Sequence, residues 1–596
     1  MYEKKPWLKY YENYIPESID YPKKTMYEAI SDVSLKYPER IAYDFLDNTS
    51  TYKEFLGDID KFSNALHALG LRKGDRITIC MPNCPQAIIC FYAANKIGGV
   101  TSMIHPLSPP KEVKFYLNLS KSKYAITLDA FFNNFIQVID STSVEKLILT
   151  KISDYLLLPK RIGFKLTAGR KIKKVPSNPK VVWLNDLMRN EYNHVDKALI
   201  DPEEFAIILY SGGTTGTPKG IQLSNMNFNC LGFQALAQGP VSNQDSVLSI
   251  LPIFHGFGLG VCVHTFILGG GKCILVPKFS PENVLDLIKK KKPVYIAGVP
   301  TLYAALARNP KISKVDFSCI KGAFCGGDHL PHDIKLEFEK AVNLKEQLIV
   351  LREGYGLTES VTGVTIMPKR TYKNGSIGIP LSDMMLKVVK FDTFEEAPPG
   401  TEGEICVSGP TVMIGYLDHP DETEKTIKIH PDGRRWLHTG DAGYMDTDGF
   451  FYFKQRLKRI IISSGMNVYP SQIEDVLDSH PEVALSCAIG VPHPHKMKSV
   501  KAFVSLKDPS KASKDLAKEL ISFCHEHLIK WSCPEEIEFR KDLPLTLIGK
   551  VAYGVLEKEE LERRRCNEIY KVPDSNIVEP TMDISCSSSL GTPENP

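Results

Sequence analysis

The sequence has little excess charge of either sign and no long, steadily apolar run. Lys and Arg number 73 and Asp and Glu number 70, so the formal net charge is only +3. A dedicated nucleic-acid-binding protein is expected to carry a strong basic bias, and that class is therefore disfavoured. The most apolar long stretch, Val247 to Pro277, is interrupted by His255, His264 and Lys272, whereas a membrane helix needs about 20 apolar residues in succession. We expect this stretch to form a strand, a loop and a helix of a core.

The sequence also lacks a dense set of cysteines. Its 14 cysteines are scattered over 596 residues, while a secreted disulfide framework is short and rich in cysteine. The cysteine and histidine groups at 80–90 and 524–533 do not have the spacing of paired metal half-sites. Residues 1–22 are charged and aromatic and lack the apolar core of a signal peptide. We therefore expect a cytoplasmic protein with reduced thiols and no structural zinc at these two groups.

Strand-like and helix-like runs alternate over the first two thirds of the chain, without an internal repeat. A helix is predicted at 86–97. Strands are predicted at 76–81, 100–105, 123–127, 145–149, 206–210, 272–276 and 294–297. This alternation is typical of parallel sheets covered by helices. The predicted fold class is α/β, with a large N-terminal domain of parallel β–α sheets, a β-rich subdomain, and a small mobile α+β domain at the C-terminus.

The character of the sequence changes twice further along. After about residue 383, turn pairs such as Asp432-Gly433 and Asp448-Gly449 separate short strands, which predicts a hairpin-rich unit. Near Arg456, strand-like, helical and strand-like runs follow one another at 459–463, 471–479 and 500–506. We predict a large N-terminal domain at 1–455, a mobile domain at 456–572, and a tail at 573–596 that is too polar to fold.

The segment from Lys160 to Lys180 is strongly basic and carries apolar residues within and just before it. One interpretation is a solvated loop between two subdomains. The other is a patch that meets anionic lipid head groups, which would place a cytoplasmic protein peripherally at the inner face of the membrane. The sequence leaves both interpretations open.

A glycine-, serine- and threonine-rich loop follows the apolar run Phe205 to Leu209. Residues 210–221 read YSGGTTGTPKGI. Glycine lets backbone N–H groups turn toward an anion without side-chain obstruction, and Lys219 adds a positive charge. The loop is not a Walker A motif, because Pro218 precedes Lys219 and Gly220 follows it. The pattern predicts a phosphate-binding loop at Ser211–Gly220, although such a loop alone could be a flexible linker.

Six further motifs follow this loop. They are LPIFHGFGLG (Leu251–Gly260), GGD (Gly326–Asp328), GYGLTES (Gly354–Ser360), WLHTGD (Trp436–Asp441), QRLKRIIISSGMNVYP (Gln455–Pro470) and LPLTLIGK (Leu543–Lys550). In this order they resemble the motifs of the adenylate-forming superfamily, which includes acyl-CoA synthetases, firefly luciferase and the adenylation domains of peptide synthetases. The resemblance covers residues 20 to about 565, and several ordered motifs are far more specific than one.

The resemblance implies a set of site residues. The nucleotide and CoA residues would be Ser211, Gly212, Gly213, Thr214, Thr215, Gly216, Lys219, Gly326, Gly327, Asp328, Tyr355, Gly356, Thr358, Asp441, Arg456, Lys458 and Gly465. Catalysis would involve Lys550, Thr215 and Glu359, of which Thr215 and Glu359 would also bind the metal. His255, Gly256 and Gly258 would line the acyl pocket.

The chemistry of these side chains agrees with the implied roles. The carboxylate of Glu359 is a hard oxygen ligand suited to Mg²⁺, although a glutamate in Thr358–Ser360 could also cap a helix. Asp441 offers two acceptor oxygens for the vicinal hydroxyls of a ribose, although a lone Gly-Asp is commonly a turn. Lys550 could stabilise charge gathering at phosphorus, but by charge alone it is one of many lysines. Tyr355 would stack on adenine, with a core tyrosine as the alternative.

The acyl-pocket motif points to an apolar acid. Carboxylates are already ionised at neutral pH, so His255 is interpreted as a pocket wall and gate and not as a general base; a core histidine is the alternative. Gly256 and Gly258 are expected to leave room beside this gate. Two hinge positions depart from the family pattern, since Gln455 replaces Gly or Asp and Arg459 replaces an acidic residue.

The resemblance implies an acid–thiol ligase that uses ATP, Mg²⁺ and coenzyme A. A small-molecule carboxylic acid, with medium or long chains favoured, would form acyl-AMP and pyrophosphate and then acyl-CoA and AMP. Alternatives are an aryl- or bile-acid CoA ligase, an enzyme that loads a carrier protein, or a non-catalytic acyl- or nucleotide-binding relative. The sequence gives no oligomeric state.

Overall fold

The computed structural model describes residues 2–211, 218–239, 241–242, 245–343, 349–463, 466–493, 497–545 and 551–569. The predicted tail at 573–596 lies outside these residues. The described strands and helices form two large mixed sheets, a smaller antiparallel sheet and a sheet near the C-terminus.

The elements are numbered in chain order. The strands are β1 (Ile41–Phe45), β2 (Asn48–Thr51), β3 (Arg76–Cys80), β4 (Val100–Met103), β5 (Tyr124–Leu128), β6 (Lys146–Thr150), β7 (Val181–Trp183), β8 (Phe205–Ser211), β9 (Lys219–Ser224), β10 (Ser246–Ser249), β11 (Lys272–Leu275), β12 (Tyr295–Gly298), β13 (Gly322–Cys325), β14 (Leu351–Tyr355), β15 (Thr365–Ile366), β16 (Ile379–Pro380), β17 (Met385–Val389), β18 (Gly403–Ser408), β19 (Gly415–Tyr416), β20 (Ile427–Ile429), β21 (Arg435–Met445), β22 (Phe451–Arg456), β23 (Ile461–Ser463), β24 (Met466–Val468), β25 (Val483–His493), β26 (Met497–Leu506) and β27 (Glu536–Phe539). The helices are α1 (Met26–Lys36), α2 (Tyr52–Ala68), α3 (Pro85–Lys96), α4 (Pro110–Ser120), α5 (Phe132–Ile136), α6 (Leu158–Leu166), α7 (Leu184–Arg189), α8 (Asn225–Gln238), α9 (Thr265–Leu268), α10 (Pro281–Lys291), α11 (Pro300–Ala307), α12 (His332–Val342), α13 (Pro420–Thr426), α14 (Pro470–Ser479), α15 (Lys514–His527) and α16 (Tyr553–Ile569).

Both large sheets have parallel interiors; both edges of the nine-stranded sheet are antiparallel, whereas the eight-stranded sheet is antiparallel at its β19-β9-β8 edge and parallel at its β6-β7 edge. One has the strand order β16-β15-β14-β13-β12-β10-β11-β1-β2 and the other the order β19-β9-β8-β4-β3-β5-β6-β7. Their inner strands are short, buried and apolar, as parallel strands covered on both faces require. The helix α3 is buried along its whole length. The predicted α/β class is confirmed, and each predicted strand between 76 and 297 is present within one or two residues of its expected limits.

The β-rich unit is an antiparallel sheet with the order β17-β18-β21-β20, in which β22 also pairs with β21. Both predicted turn pairs, Asp432-Gly433 and Asp448-Gly449, lie between paired strands. Gly433 and Gly449 have φ values of 73° and 91°, a region of backbone space that glycine enters without a side-chain clash. The hairpins of this unit therefore follow directly from local turn chemistry.

The C-terminal sheet has the order β24-β23-β26-β25, with β27 parallel to β26. Helix α14 packs against it through Ile473 and Leu477, which are both fully buried. The unit is α+β, as the sequence predicts. The boundary at 455/456 coincides with the end of β22 and stays a prediction.

The apolar stretch Val247 to Pro277 is divided among several elements. It contributes most of β10, a π-helix at Phe257–His264, helix α9 and strand β11. Among the described residues, no helix is both long and apolar enough to cross a membrane. The expectation of a strand, a loop and a helix inside a core is correct.

Candidate active site

The phosphate-binding loop predicted from the sequence connects two antiparallel strands. Ser211 ends β8 and Lys219 begins β9, and their Cα atoms are register partners. The loop is therefore a hairpin connection at the edge of the eight-stranded sheet. Residues 212–217, which include the predicted Gly212, Gly213, Thr214, Thr215 and Gly216, lie outside the described residues.

Lys219 is paired with an acidic residue from the start of α13. Its Nζ donates to Oε2 of Glu422 at 2.6 Å and lies 4.9 Å from the ring centre of Tyr416. Hydrogen bonds from Lys219 and Lys425 lower the pKa of the Glu422 carboxyl to about 2, and Lys219 has the larger effect. The side chain of Lys219 is only partly exposed. Its contacts with Glu422 and Tyr416 hold the ammonium group beside the end of the predicted phosphate-binding loop.

Tyr416 connects the loop lysine to the predicted metal ligand. Its strand β19 pairs with β9, and its hydroxyl donates to Oε1 of Glu359 at 2.9 Å. Burial and the neighbouring Glu359 carboxylate raise the pKa of Tyr416 strongly, so the phenol stays protonated and remains a donor. Lys219 thus lies over the face of the Tyr416 ring, and Glu359 lies at its hydroxyl group.

Glu359 lies in a 3-10 turn, Thr358–Ser360, that leads directly into a strained residue. Val361 has φ 59° and ψ −58°, and the N–H of Thr362 donates to the carbonyl of Ser360 at 2.6 Å. This is a γ-turn in a backbone region that costs a β-branched residue about 1–3 kcal/mol. The side chain of Val361 is fully buried, so packing holds the turn. Such strain is concentrated at functional sites.

The residues present are compatible with a bound Mg²⁺. Glu359 supplies a hard carboxylate oxygen. Its Oε1 is held by Tyr416, and no described residue forms a hydrogen bond with its Oε2. The donor set thus fits a hard cation that binds together with an oxyanion, and Thr215, the second predicted ligand, lies outside the described residues.

A second cluster is centred on Asp441. The hydroxyl of Tyr355 donates to Oδ2 of Asp441 at 2.5 Å, and Nε of Arg456 lies 2.9 Å from Oδ1. Asp441 and Arg456 are cross-strand partners on β21 and β22. The Asp441 side chain is completely buried, and its carboxylate raises the pKa of Arg456. The cluster joins the nine-stranded sheet to the β-rich sheet.

The residues before Asp441 form a bulge in β21 that is held by a separate set of contacts. The N–H of Gly440 donates to Oε1 of Glu404 at 2.9 Å, and Oε2 of Glu404 lies 2.7 Å from Nδ1 of His438. Gly440 has φ 70°, which favours glycine. Thr439 accepts from the Asp441 N–H at 3.1 Å and donates to the carbonyl of Ile405 at 2.7 Å. The ribose motif predicted from the sequence therefore contains a hydrogen-bonded bulge of β21 that depends on glycine.

The two adenine-side motifs lie at the carboxyl ends of neighbouring parallel strands. Gly326, Gly327 and Asp328 follow β13, Tyr355 ends β14, and Gly356 follows it. A Cβ on Gly356 would lie 1.3 Å from the carbonyl oxygen of Thr362, so only glycine fits. Ligands of open α/β sheets bind at this edge, and the arrangement agrees with the predicted role.

The acyl-pocket motif shows a different use of glycine from the one expected. His255 is half-buried, and its Nδ1 accepts from the N–H of Phe257 at 3.2 Å. A Cβ on Gly256 would lie 1.8 Å from the carbonyl oxygen of Val361, and one on Gly258 would lie 2.2 Å from that of Pro252. These glycines allow close backbone packing, so they do not leave open room. Gly256 brings the acyl-pocket motif against the strained turn at Val361, beside Glu359.

The hinge and the last motif are only partly described. Lys458 lies in a 3-10 turn, Leu457–Arg459, and is exposed. The neighbouring Arg459 donates to Oε1 of Glu474 at 2.5 Å. Gly465 and Lys550 lie outside the described residues, but a bridge between Leu545 and Val551 closes the segment that contains Lys550.

The C-terminal unit contacts the remainder of the chain beside the adenine-side loop. The hydroxyl of Tyr469 donates to Oε2 of Glu402 at 2.6 Å, and the hydroxyl of Ser471 donates to the carbonyl of Lys454 at 2.7 Å. His329, directly after Asp328, lies 3.5 Å from Asp475 of α14. These polar contacts join the C-terminal unit to the β-rich sheet and to the adenine-side loop.

Sequence reasoning missed three residues of this site. Tyr416 and Glu404 lie outside the motifs predicted from the sequence, and Val361 is an ordinary hydrophobic residue in the sequence. Glu404 could have been suspected from its place four residues after Gly400 of the turn pair Pro399-Gly400, but only the sheet register places it beside His438.

Comparisons with known proteins agree with this geometry. Residues 31–417 match the family model described as AMP-binding enzyme, and residues 472–550 match its C-terminal domain. A long-chain-fatty-acid–CoA ligase of Bacillus subtilis (strain 168) is 36% identical over 569 residues, which cover 94% of this chain and 99% of the relative. A ligase of the same name from Haemophilus influenzae is 32% identical over 572 residues, with 93% and 99% covered.

Solved structures show the same architecture. ATP-bound MatB from Rhodopseudomonas palustris superposes with a TM-score of 0.78 at 25% identity and covers 92% of this chain and 100% of its own. A benzoate CoA ligase from Burkholderia xenovorans LB400 has a TM-score of 0.76 at 22% identity, with 89% and 99% covered, which supports the fold alone. The motifs, the site and both family models agree over most of the chain, and the protein belongs to the AMP-binding enzyme family.

Proposed function

We propose that this protein is an ATP-dependent ligase that joins a long-chain fatty acid to coenzyme A through an acyl-adenylate. The observation that carries the proposal is the buried Asp441 carboxylate, held by Tyr355 and Arg456 where two sheets meet. Support for the acid comes from the Bacillus and Haemophilus relatives, which are named as long-chain ligases and match over nearly their full length.

The nucleotide would lie between the two clusters. A carboxylate has about four acceptor sites, so Asp441 can accept from both ribose hydroxyls while keeping Arg456. Lys219, at the end of the Ser211–Gly220 loop, would exchange Glu422 for a phosphate oxygen, because both are anionic acceptors of similar geometry. Gly326, Gly327 and Asp328 would border the adenine together with Tyr355.

Glu359 and Thr215 would hold Mg²⁺, which neutralises triphosphate charge when bound. The remaining roles fall to protein groups. In the first step, an oxygen of the acid attacks the α-phosphorus, the bond to the β-phosphate oxygen breaks, and pyrophosphate leaves. Lys550 would stabilise the negative charge that gathers at the reacting phosphorus, and the loop would hold the leaving pyrophosphate.

In the second step, the thiol sulfur of CoA attacks the acyl carbonyl carbon and AMP leaves. We infer a rotation of the unit at 456–572 about Arg456–Lys458 between the two steps. Hydrogen bonds such as that from Tyr469 to Glu402 can be exchanged for hydrogen bonds to water during such a motion, which would withdraw Lys550 and shield the adenylate from water. Gly465 would then border the CoA path.

The acid would enter past His255. The gate motif continues into the π-helix Phe257–His264, whose side chains are mainly apolar; such helices are frequent at functional sites. An aryl acid is the alternative acid class, and a carrier-loading enzyme would share the first step.

The experiment is a pyrophosphate-release screen over saturated acids of increasing chain length and over benzoate, with and without CoA. Acid-dependent release with a long-chain optimum and CoA thioester as product is expected. Release without thioester would favour the carrier-loading alternative, a benzoate optimum would overturn the chain-length assignment, and no release would overturn the enzyme assignment.

The variant Lys550→Ala separates the two steps. Acyl-AMP formation should fall by orders of magnitude, while thioester formation from preformed acyl-AMP should be largely kept. Lys541→Ala, a lysine exposed on the same unit, is the matched control and should leave both steps unchanged. Equal loss of both steps in Lys550→Ala would refute the role of Lys550.

The proposed peripheral contact with membranes rests on α6. Leu158, Ile162 and Leu166, spaced by four residues and so on one helical face, are 69%, 52% and 56% exposed. The segment 160–180 contains eight Lys or Arg residues and no acidic residue. An exposed apolar stripe flanked by cations fits an anionic lipid surface, the site from which a long-chain acid would be collected.

A further inference from the structure

A compact group of metal-ligating side chains lies in the β-rich sheet. Cys406 of β18 and His438 of β21 are direct cross-strand partners, and Sγ of Cys406 lies 3.6 Å from Nδ1 of His438. His430, which follows β20, places its Nε2 2.9 Å from Nε2 of His438. One ligand atom from each residue lies within 4.8 Å of the others, and no second group of this kind occurs in the part of the chain that the structure describes.

The donor atoms suit a tetrahedral cation. With zinc–sulfur and zinc–nitrogen bonds of about 2.3 and 2.1 Å, the sulfur and nitrogen of a tetrahedral site lie about 3.6 Å apart, which is the separation of Cys406 Sγ and His438 Nδ1. Oε2 of Glu404 lies 2.7 Å from the same nitrogen and supplies a fourth donor. A thiolate, two imidazoles and a carboxylate are a zinc-type donor set.

The metal-ligating group is buried, and the described residues do not satisfy all of its hydrogen-bonding atoms. Cys406 is completely buried and His430 is 3% exposed. The Nδ1 atom of His430 has no hydrogen-bond partner among the described residues, which is uncommon for a buried polar atom. His438 and Glu404 are also largely buried. A cation here would be shielded from water and would satisfy donors that the fold leaves underused.

We propose that Cys406, His430, His438 and Glu404 form a binding site for a thiophilic divalent cation of the Zn²⁺ type. On binding, the thiol proton of Cys406 leaves to solvent, and His438 coordinates through Nδ1 with its proton at Nε2. His430 moves the most, because its Nε2 now contacts the far side of the His438 ring. No residue proposed to contact ATP is a ligand of this site.

Loading this site also weakens ATP binding. Glu404 uses Oε2 for His438 and Oε1 for the N–H of Gly440, the residue before Asp441. A cation bound between Glu404 and His438 would separate Oε2 and Nδ1 from 2.7 Å to about 3.4 Å, the spacing of two ligands in a tetrahedral site, and so would change the position of the bulge at Gly440. This consequence rests on the proposed role of Asp441 in ribose binding, whereas the metal site itself does not.

The direct test is titration of the metal-free, full-length protein with Co²⁺ in the absence of ATP. One equivalent is expected to produce a near-ultraviolet thiolate-to-cobalt band and the visible bands of a tetrahedral site, both removed by Zn²⁺. Cys406→Ser should lose the thiolate band, and His430→Gln should weaken Co²⁺ binding at least tenfold. The matched controls are Cys273→Ser and His480→Gln, buried residues elsewhere, which should titrate as wild type.

Circular dichroism confirms that each variant is folded before it is scored. Absence of the thiolate band in wild type, or its persistence in folded Cys406→Ser, overturns the site, and so does unchanged affinity in folded His430→Gln. These readouts need no turnover, so they stand apart from any failure of the proposed function.

The coupling has its own test. With Mg²⁺ in excess, Zn²⁺ should raise the KM for ATP of wild type at least tenfold, and a chelator should reverse the effect. His430→Gln should be much less sensitive. Equal sensitivity of wild type and His430→Gln would overturn the coupling while leaving the metal site to the cobalt titration.

Discussion

The phenol of Tyr355 donates a 2.5 Å hydrogen bond to Asp441, although the two residues lie in different sheets. Tyr355 ends a strand of the nine-stranded sheet, and Asp441 lies on the longest strand of the β-rich sheet. The two residues meet only because the two sheets pack together. Arg456, on the strand next to Asp441, forms an ion pair with the same carboxylate. The proposed nucleotide site is therefore a product of the contact between the two units.

Replacing Asp441 should mainly impair use of ATP. Asp441→Asn keeps the shape but removes a charged acceptor for two ribose hydroxyls. Since a hydrogen bond to a charged group contributes about 1.5–3 kcal/mol, kcat/KM for ATP should fall about 100-fold. Steady-state kinetics with ATP and 3′-deoxy-ATP measure the effect, and the variant should discriminate less between them. Asp448→Asn, on the nearby turn, is the control; an unchanged KM in Asp441→Asn would contradict the assignment.

Lys219 and Glu422 should respond in opposite ways. Lys219→Ala removes a cation from the phosphate loop and should raise the KM for ATP about tenfold, the usual scale of one charge-assisted hydrogen bond. Glu422→Gln frees Lys219 from its 2.6 Å partner and should leave the KM unchanged or lower it.

The control for this pair is Lys425→Ala. Lys425 contacts the same glutamate at 3.2 Å but lies outside the loop, so its loss should not affect ATP use. If Glu422→Gln raised the KM as much as Lys219→Ala, the glutamate would be part of the binding site and not a competitor of the phosphate.

Stability should fall as the pH drops below about 6.5, in part because of His264. Burial lowers the pKa of this imidazole to about 3, and it is held by Tyr92 and Asn229 at 3.1 and 2.9 Å. Between that value and 6.5 the unfolded chain binds a proton that the folded chain does not. The free energy of unfolding therefore loses about 1.4 kcal/mol per pH unit from this group.

Urea denaturation of wild type and His264→Gln from pH 7 to pH 4.5 measures this slope. The variant should be less stable at pH 7, and its deficit should shrink as the pH falls, because it lacks the proton uptake. His194→Gln, whose side chain is 71% exposed, should follow the wild-type curve. A deficit that is constant with pH would show that His264 does not contribute.

Binding to anionic vesicles should depend on the apolar stripe of α6. A triple change to glutamine at Leu158, Ile162 and Leu166 removes side chains that are exposed in the free protein, so stability should be kept. Partitioning to phosphatidylglycerol vesicles should fall at least tenfold, since each buried side chain contributes about 1.5–3 kcal/mol.

Sedimentation with vesicles measures this partitioning, and phosphatidylcholine vesicles should bind neither protein. The matched control carries glutamine at three exposed leucines outside α6. These are Leu35, Leu107 and Leu199. Equal loss of binding in both triple variants, or no binding by wild type, would remove the membrane proposal and favour a solvated loop.

Much of the fold could be predicted because its signals are local. The run at 76–81 alternates with the helix at 86–97, and the structure has β3 and α3 at those places. Turn pairs such as Asp448-Gly449 set the hairpins of the β-rich unit through backbone conformations that glycine favours. The motifs were visible for the same reason, since each is a short stretch whose residues act together.

The sequence by itself determined the fold class, the order of elements, the family and the residues of the motifs. Only the tertiary structure placed Tyr416 in contact with both Glu359 and Lys219, Glu404 beside the backbone of Gly440, and Cys406 beside His438. It also showed that Gly256 packs against Val361 and opens no space. The physical reason is distance along the chain, because secondary-structure propensity and hydrophobic periodicity depend on residues only a few positions apart. These contacts instead join residues 32 to 197 positions apart, and they follow from sheet register and packing.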